Sequence, residues 1–309
     1  MSADLQAQSH QTLAVHSRTF SFAAKLLPAD ARDDAAIVYS LCRLMDDLAD
    51  DPPDGNIETA RTDLDQLDRE LTGVSPPRPL VAAFLATASR RSIDIGAARA
   101  LLQGVRSDLD PFTIDADDAL LHYAWQVAGT VGLMMAPLLG TTDPTALRQA
   151  ADLGIAMQLT NICRDVREDA KRGRVYLPTT RLTAHGVLRR DILAAPDAPS
   201  PAVRAAVQTV VDELLAVAEQ KYESGIRGLA ALPFRCRMSI AVAAALYRAI
   251  GHKLQRKHQS DPFHGRTIVS TAEKVGLAIR AVAAEARRMM RGSRPLPDAH
   301  PVTPKPLKT

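Results

Sequence analysis

The apolar residues of this chain recur at helical spacing almost from end to end, and runs that alternate β-branched or aromatic residues with polar ones are missing. Only 4% of the residues are aromatic, and alanine, leucine, arginine and glutamine fill the long segments between proline and glycine breaks. The breaks delimit about ten helices, and no change in composition marks a second domain. The pattern predicts an all-α protein with one helical domain over residues 1–292 and a disordered tail over residues 293–309, where five prolines oppose helix formation.

Charge and cysteine content exclude several classes of function. The 309 residues include 38 basic and 35 acidic side chains, and a net charge of +3 does not indicate a nucleic-acid partner. Three widely spaced cysteines without a CxxC pair predict neither a disulfide framework nor a zinc site. The sequence has no recognisable secretion leader and no apolar run of membrane-spanning length, so we expect a cytoplasmic protein; peripheral contact with a membrane is compatible with this.

Four carboxylates, those of Asp46, Asp47, Asp50 and Asp51, crowd the end of a predicted helix. Residues four apart lie on one helix face, so Asp46 faces Asp50, and like charges at this spacing repel. Negative charge near the C-terminus of a helix also opposes the helix dipole. The arrangement therefore has a cost that a bound cation would remove.

A second acidic segment repeats the problem, since Asp165 and Asp169 again lie four apart. Gln158 and Asn161 precede them on the same predicted stripe of one helix. A single acidic run is typical of a solvated helix face. Two such runs, each preceded by Cys-Arg and each set in an otherwise apolar helix, favour a functional interpretation.

Facing aspartate pairs on two helices match the way proteins bind Mg²⁺. This ion prefers oxygen ligands and is usually held by one or two carboxylates together with substrate phosphates. Mg²⁺ bridging the pairs to a diphosphate would neutralise its charge and make it a leaving group, which indicates ionisation of an allylic diphosphate. Arg43 and Arg164 are predicted to bind the diphosphate through their forked donors; for Arg172 and Arg174, charge balance with nearby acids is an equal alternative.

Several segments together resemble the squalene and phytoene synthases, which join two isoprenyl diphosphates head to head. In chain order they are residues 16–20 with 27–28, 39–51, 127–132, 158–169 and 173–178. The most specific is the second acidic motif with its Gly-Arg-Val-Tyr-Leu-Pro extension. The resemblance implies a fold of the isoprenoid synthase type with a central active-site cavity. It also implies a reaction in two steps, in which a cyclopropyl diphosphate forms and then ionises and rearranges.

The resemblance implies roles for individual residues. The metal ligands would be Asp46, Asp50, Asn161, Asp165 and Asp169, with the four aspartates catalytic through the ion. The residues near substrate, diphosphate or metal-bound water would be His16, Ser17, Arg18, Thr19, Tyr39, Arg43, Gln158, Asn161, Arg164, Tyr176 and Tyr247. Tyr39 and Tyr176 would act catalytically by shielding or stabilising carbocations with their ring faces. For Tyr247 the alternative is a core tyrosine with a satisfied hydroxyl.

One position departs from the family pattern. Many relatives carry a tyrosine two residues before the position of Val127, whereas this chain has Trp125, its only tryptophan. The ring face is kept and the hydroxyl is lost, which puts in doubt any proton transfer by a phenol at this position. A core tryptophan is the alternative to a role in the cavity.

Small side chains beside the first acidic motif bear on substrate length. Ala36 lies about 15 Å from Asp46 at the helical rise of about 1.5 Å per residue, toward where a metal-anchored prenyl tail would end. Ala24 lies in a segment that the family places beside this helix. Both alanines would leave depth for a C20 tail, and tight helix packing is the alternative explanation. We therefore expect phytoene synthesis from two molecules of geranylgeranyl diphosphate, in carotenoid biosynthesis, with a C30 squalene or dehydrosqualene synthase using farnesyl diphosphate as the alternative.

Two further functions compete with this expectation. A terpene cyclase also uses acidic motifs and Mg²⁺ but acts on one substrate, and the segments quoted above resemble the head-to-head family instead. A non-catalytic assembly protein would not need both acidic pairs and their flanking arginines. The expected cofactor is Mg²⁺, with Mn²⁺ as a substitute. No Gly-x-Gly-x-x-Gly turn joins a strand to a helix, and NADPH is not expected, although squalene synthases bind it in a helical site.

Overall fold

The computed structural model describes residues 3–50, 55–110, 113–256 and 261–290, and every regular element in these ranges is helical. The predicted all-α class is confirmed. The predicted tail over residues 293–309 lies outside the described residues, and the domain boundary stays a prediction. Among the described helices, none combines the length and the apolar character needed to cross a bilayer. The helices are α1 (Ala3–His16), α2 (Arg18–Ala24), α3 (Ala29–Asp50), α4 (Ile57–Leu71), α5 (Pro79–Arg91), α6 (Ile95–Ser107), α7 (Asp117–Ala124), α8 (Thr130–Leu138), α9 (Pro144–Arg164), α10 (Val166–Lys171), α11 (Thr179–Ala184), α12 (Arg189–Ala194), α13 (Pro201–Gly228), α14 (Phe234–Gln255) and α15 (Thr271–Met290).

The chain forms more helices than the sequence pattern predicts, because several breaks lack a proline or glycine. Ser17 separates α1 from α2, and its hydroxyl accepts a hydrogen bond from the Phe20 N–H at 3.2 Å, which caps α2. A π-helical turn, Trp125–Gly129, joins α7 to α8. Three helices of six residues each, α10, α11 and α12, follow the second acidic motif. Such short elements give too little periodicity to be recognised from sequence.

Helix α9, which leads into the second acidic motif, lies in close contact with its neighbours. A Cβ atom added at Gly132 of α8 would lie 2.2 Å from the Ala150 carbonyl oxygen of α9. One added at Gly154 of α9 would lie 2.2 Å from the Ala128 carbonyl oxygen. The backbones therefore touch at two points along the crossing, and only glycine fits at either. This contact fixes the position of α9, and with it the second acidic motif.

The buried hydrophobic residues form two clusters. The first cluster is built mainly from α9, α13 and α14, and the second from α3, α4, α5 and α6. Phe20, Val127 and Ile240 are partly buried and pack against both clusters, so they mark the seam between them. The first acidic motif extends from the second cluster on α3, and the second motif follows α9 of the first cluster. The two motifs are therefore attached to different hydrophobic clusters.

Candidate active site

The last turns of α3 carry Tyr39, Arg43, Asp46 and Asp50 at spacings of three and four, as predicted. Arg43 forms an ion pair with Asp47, one turn further along the helix. Its Nε atom is buried and donates no hydrogen bond to the described residues. Burial raises the pKa of Tyr39 to about 12, so this phenol stays protonated. The stripe therefore combines a neutral ring, an unsatisfied cationic donor and two carboxylates.

Asp46 is the carboxylate of this stripe whose ionised form is destabilised by burial. Removal from water raises its pKa to about 7, and nearby Asp50 and Asp108 add to the rise while Arg43 opposes it. No ion pair forms on Asp46 within the described residues. An ion held here would replace the missing counter-charge.

The second motif differs from its prediction in one respect. Its aspartates were expected on one continuous helix, but α9 ends at Arg164 and Asp165 has φ −103° and ψ 16°, between α9 and α10. The hydrogen-bond ladder nevertheless continues, since the Asp165 N–H donates to the Asn161 carbonyl at 2.8 Å and the Asp169 N–H to the Asp165 carbonyl at 2.9 Å. Asp169 therefore still lies one turn beyond Asp165, with the Asp165 side chain turned toward arginine.

Arginines hold one carboxylate of each motif. Arg164 Nε donates to Asp165 Oδ1 at 2.8 Å, and Arg266 Nε lies 3.2 Å from the same oxygen. Arg174 Nη1 lies 2.6 Å from Asp50 Oδ1, and Arg172 Nη1 lies 3.3 Å from Asp50 Oδ2. Because Arg172 and Arg174 follow the second motif and Asp50 belongs to the first, these ion pairs bring the two motifs together.

Asp169 is the counterpart of Asp46. Removal from water raises its pKa to about 7, with Asp165 adding to the rise and Arg174 and Arg172 opposing it. Asp108 also contributes, as it does at Asp46. A fifth carboxylate therefore lies within electrostatic range of both motifs.

Asp108 is the site residue that sequence reasoning missed. It follows α6, and burial raises its pKa. The Tyr123 hydroxyl donates to Asp108 Oδ2 at 2.9 Å and the Tyr176 hydroxyl to Oδ1 at 3.0 Å. The two tyrosine rings stack with centroids 5.1 Å apart. The sequence offered no pair of aspartates four apart here, and only the fold brings Asp108 to the other acids.

Residues 16–20, the first segment that resembles the family, contact the site through Ser17, which hydrogen-bonds to Tyr247 of α14. Phe20 and Tyr247 have ring centroids 5.2 Å apart. Burial raises the pKa of Tyr247, and the charges of Arg164 and Arg266 and a hydrogen bond with Ser17 oppose this rise. Thr19 is partly buried, His16 is exposed at the end of α1, and the side chain of Arg18 lies outside the described residues. The structure thus brings Ser17 and Tyr247 to the site and leaves His16 at the surface.

Two buried oxygen atoms close to the second motif test whether Mg²⁺ fits. Asn161 Oδ1 and Glu168 Oε2 accept no hydrogen bond from the described residues. Asn161 Nδ2 donates to Gln158 Oε1 at 3.4 Å, which leaves the amide oxygen free to ligate. Buried acceptors without partners are costly, and oxygen is the ligand type that Mg²⁺ prefers. The donor set fits the ion.

The site is not a preassembled metal cage. No group of three acidic, histidine or cysteine side chains converges at ion-binding distance within the part of the chain that is described. Asp50 and Asp165 are engaged by arginines instead. Mg²⁺ commonly completes its shell with substrate phosphates and water. The geometry therefore suits an ion that arrives together with a diphosphate.

Comparison with known proteins decides the family. The squalene/phytoene synthase family profile matches residues 13–273. A 15-cis-phytoene synthase of Paracoccus sp. is 38% identical over 283 residues, which cover 89% of this chain and 90% of the relative. A phytoene synthase of Thermus thermophilus is 40% identical over 79% of this chain and 81% of its own length. The chain belongs to the squalene/phytoene synthase family.

A solved structure supports the same assignment. A dehydrosqualene synthase in complex with a ligand superposes with a TM-score of 0.79 at 29% identity, over 91% of this chain and 96% of that one. The squalene synthase HpnC from Alicyclobacillus acidocaldarius, at 22% identity and a TM-score of 0.70, shares the fold. The expected family and its isoprenoid synthase fold are confirmed.

The structure shows the surroundings of Trp125, the position at which this family member departs from the family pattern. The Trp125 ring stacks with the exposed His122 at 6.2 Å between centroids and lies against Gly129. The hydroxyl in the acidic site belongs to Tyr123, two residues earlier. Tyr123 and Trp125 are separate positions whose side chains the helical turn directs differently, so the role of Trp125 stays a prediction.

The two alanines that were expected to set cavity depth are both buried in the second cluster. Ala24 is 8% exposed and Ala36 has no exposed surface. Burial of Ala36 agrees with the alternative of tight helix packing, and its effect on cavity depth stays a prediction.

Proposed function

We propose that this family member is a phytoene synthase, which joins two molecules of geranylgeranyl diphosphate head to head through a cyclopropyl diphosphate. The overall change releases two diphosphates and two protons, one proton in each step, and leaves a central double bond. Support comes from relatives described as phytoene synthases that cover most of the chain. The site that carries the proposal is the pair of acidic motifs linked by Arg174 and Arg172.

The residues of the site divide into three proposed tasks. When bound, Mg²⁺, or Mn²⁺ in its place, supplies the positive charge that makes diphosphate a leaving group. Asp46, Asp50, Asn161, Asp165 and Asp169 would hold the ion. Arg43, whose Nε is unsatisfied, and Arg164 would bind phosphate oxygens. The rings of Tyr39, Tyr176 and Tyr247 would face the cationic prenyl chain and exclude water from it.

The seam between the two hydrophobic clusters suits the prenyl tails. Phe20, Val127 and Ile240 border it, and Phe20 also contacts Tyr247, beside the second motif. A long apolar tail with its diphosphate at the acidic motifs would enter this seam, where burial of apolar surface favours binding. The partners are thus two isoprenyl diphosphates. We further propose peripheral contact with a membrane, because substrate tails and product are apolar, and no use of NADPH.

Product analysis tests this proposal. Purified protein is incubated with geranylgeranyl diphosphate or farnesyl diphosphate and Mg²⁺, with and without NADPH, and the hydrocarbon is identified by mass spectrometry. We expect a C40 product from geranylgeranyl diphosphate without NADPH. A C30 product alone would favour the dehydrosqualene activity of the solved relative, and a product formed only with NADPH would contradict the non-reductive second step.

A further inference from the structure

Helix α15 and the residues before it leave a hydrophobic face uncovered. Five of the eleven large hydrophobic side chains exposed in the described residues belong to segment 268–290: Ile268, Val275, Ile279, Met289 and Met290. Ile268 is 71% exposed, Ile279 65% and Met290 79%. Clustered exposed apolar residues mark an interaction surface, whereas scattered ones are ordinary. Val275 and Met289 lie on the helix stripe of Val282 and Glu285. We call the other three, Ile268, Ile279 and Met290, together with Arg280 and Arg287, the α15 face.

Another side of α15 packs against the body of the protein. Leu277, Ala278, Ala281 and Val282 contact the first hydrophobic cluster. Glu285 is 1% exposed and forms a buried ion pair with Arg237 of α14. The helix is therefore anchored by its inner side, and its outer side remains available in a fixed orientation.

The charge on the α15 face is positive. The two acidic residues of the helix are neutralised, Glu273 by Lys253 at 2.8 Å and Glu285 by Arg237 and Arg288. Arg280 and Arg287 are exposed, and no carboxylate among the described residues pairs with them. In sequence, residues 291–309 then add four basic side chains against one acidic side chain. Apolar residues flanked by unpaired arginines are the pattern of a helix that lies in a lipid interface.

We propose that the α15 face docks the protein on an anionic lipid bilayer. Ile268, Ile279 and Met290 would enter the acyl boundary while Arg280 and Arg287 contact lipid phosphates. The surface begins next to the active site, because Arg266, which contacts Asp165, is two residues from Ile268. The proposal rests on the proposed function for its purpose, since an insoluble C40 hydrocarbon has to leave the site into an apolar phase.

Vesicle sedimentation tests the proposal with the full-length protein. Binding is measured to phosphatidylcholine vesicles and to vesicles with about a third phosphatidylglycerol. We expect binding to the anionic vesicles that weakens at high salt. The double variant Arg280→Ser/Arg287→Ser should bind about thirtyfold less tightly, at about 1 kcal/mol for each arginine. Ile279→Ser should also weaken binding, at either salt concentration.

Matched control variants test whether binding depends on the α15 face or on exposed arginines and apolar side chains anywhere on the surface. Arg69→Ser/Arg190→Ser removes two exposed arginines from α4 and α12, and Val74→Ser removes a side chain that is 73% exposed. These variants should bind as the wild type does. Equal losses in controls and α15 variants, no vesicle binding by the wild type, or self-association that Ile279→Ser abolishes without lipid would each overturn the proposal.

Activity distinguishes this inference from the proposed function. In detergent-dispersed substrate, Arg280→Ser/Arg287→Ser should make the C40 product at the wild-type rate, because neither arginine contacts the acidic motifs. Product formation by a wild-type protein that does not bind vesicles would refute the docking surface and leave the enzyme assignment intact. Vesicle binding by a protein that forms no product from geranylgeranyl diphosphate would refute the enzyme assignment and leave the docking surface intact.

Discussion

Each acidic motif contains two aspartates in different environments, but the two motifs position these aspartates differently. In each, one carboxylate lacks an ion pair among the described residues and has a pKa raised to about 7, namely Asp46 and Asp169. The other carboxylate, Asp50 or Asp165, is held by arginines. On α3 the pair follows regular helix geometry, whereas Asp165 lies at the break between α9 and α10. One half of the proposed diphosphate–metal site therefore lies on a helix face, and the other half lies at a helix end.

The arginines make the two motifs unequal. Asp165 is held by its neighbour Arg164 and by Arg266, while Asp50 depends on Arg172 and Arg174, which follow the other motif. The first motif is therefore positioned by the second. Variants that act on one motif and not on the other can break or sharpen this distinction.

The largest expected effect is loss of a raised-pKa carboxylate. Asp46→Asn or Asp169→Asn should lower kcat by about 10²–10³-fold, because a charged ligand of the ion is removed. Without metal, either variant should be at least as stable as the wild type, since the amide removes like-charge repulsion. Steady-state kinetics and urea unfolding measure the two effects.

Asp47→Asn is the matched control for that experiment. Asp47 lies in the same acidic run, and its side chain is 47% exposed. This variant should retain near-wild-type kcat. Wild-type rates in Asp169→Asn, or an equal loss in Asp47→Asn, would refute the assignment of ligands.

Activity should depend on the ionisation of Asp46 and Asp169. With both pKa values raised to about 7 and both groups required in ionised form, kcat/KM should fall about a hundredfold for each pH unit well below 7. In Asp46→Asn/Asp169→Asn this slope should disappear from the residual activity. A flat profile between pH 5.5 and 7.5 in the wild type would show that neither group must be ionised.

The same pKa shifts set the stability of the metal-free protein. Between the unfolded carboxyl pKa of about 4 and the folded value of about 7, the folded state binds more protons, so stability falls as pH rises through this window. The urea midpoint without metal should be higher at pH 5.5 than at pH 8. The opposite order would contradict the raised pKa values, and the double asparagine variant should show a smaller difference.

A smaller effect is expected from the link between the motifs. Arg174→Gln should lower kcat/KM about tenfold, near the value of one charge-assisted hydrogen bond. Arg99→Gln, which breaks the exposed ion pair with Asp68, is the control and should leave activity unchanged. An unchanged kcat/KM in Arg174→Gln would mean that Asp50 is positioned without the second motif.

Sequence patterns predicted helices, both motifs and the family, because each depends on local spacing. Asp108 could not be found in this way, since its partners Tyr123 and Tyr176 come from other segments and meet only in the fold. The break at Asp165 carries no proline or glycine that would mark it. For Ala36, helical spacing gave the direction of the side chain but could not reveal which neighbours cover it.

The smallest expected effect concerns chain length, given the proposed function. Ala36→Leu should lower the ratio of C40 to C30 product about threefold, because the buried side chain acts on the seam through its neighbours. Ala98→Leu, at an equally buried site in the same cluster, should cost similar stability without changing the ratio. Identical product ratios in both variants would exclude Ala36 from chain-length control.

Binding of Mn²⁺, followed by electron paramagnetic resonance, tests most directly whether the two motifs hold an ion together with diphosphate. Because Asp50 and Asp165 are engaged by arginines, the protein alone should bind Mn²⁺ weakly. Inorganic diphosphate should strengthen binding by at least about tenfold, and Asp46→Asn and Asp165→Asn should each remove this gain. Equally tight Mn²⁺ binding without diphosphate, or a gain that survives in both variants, would contradict the account.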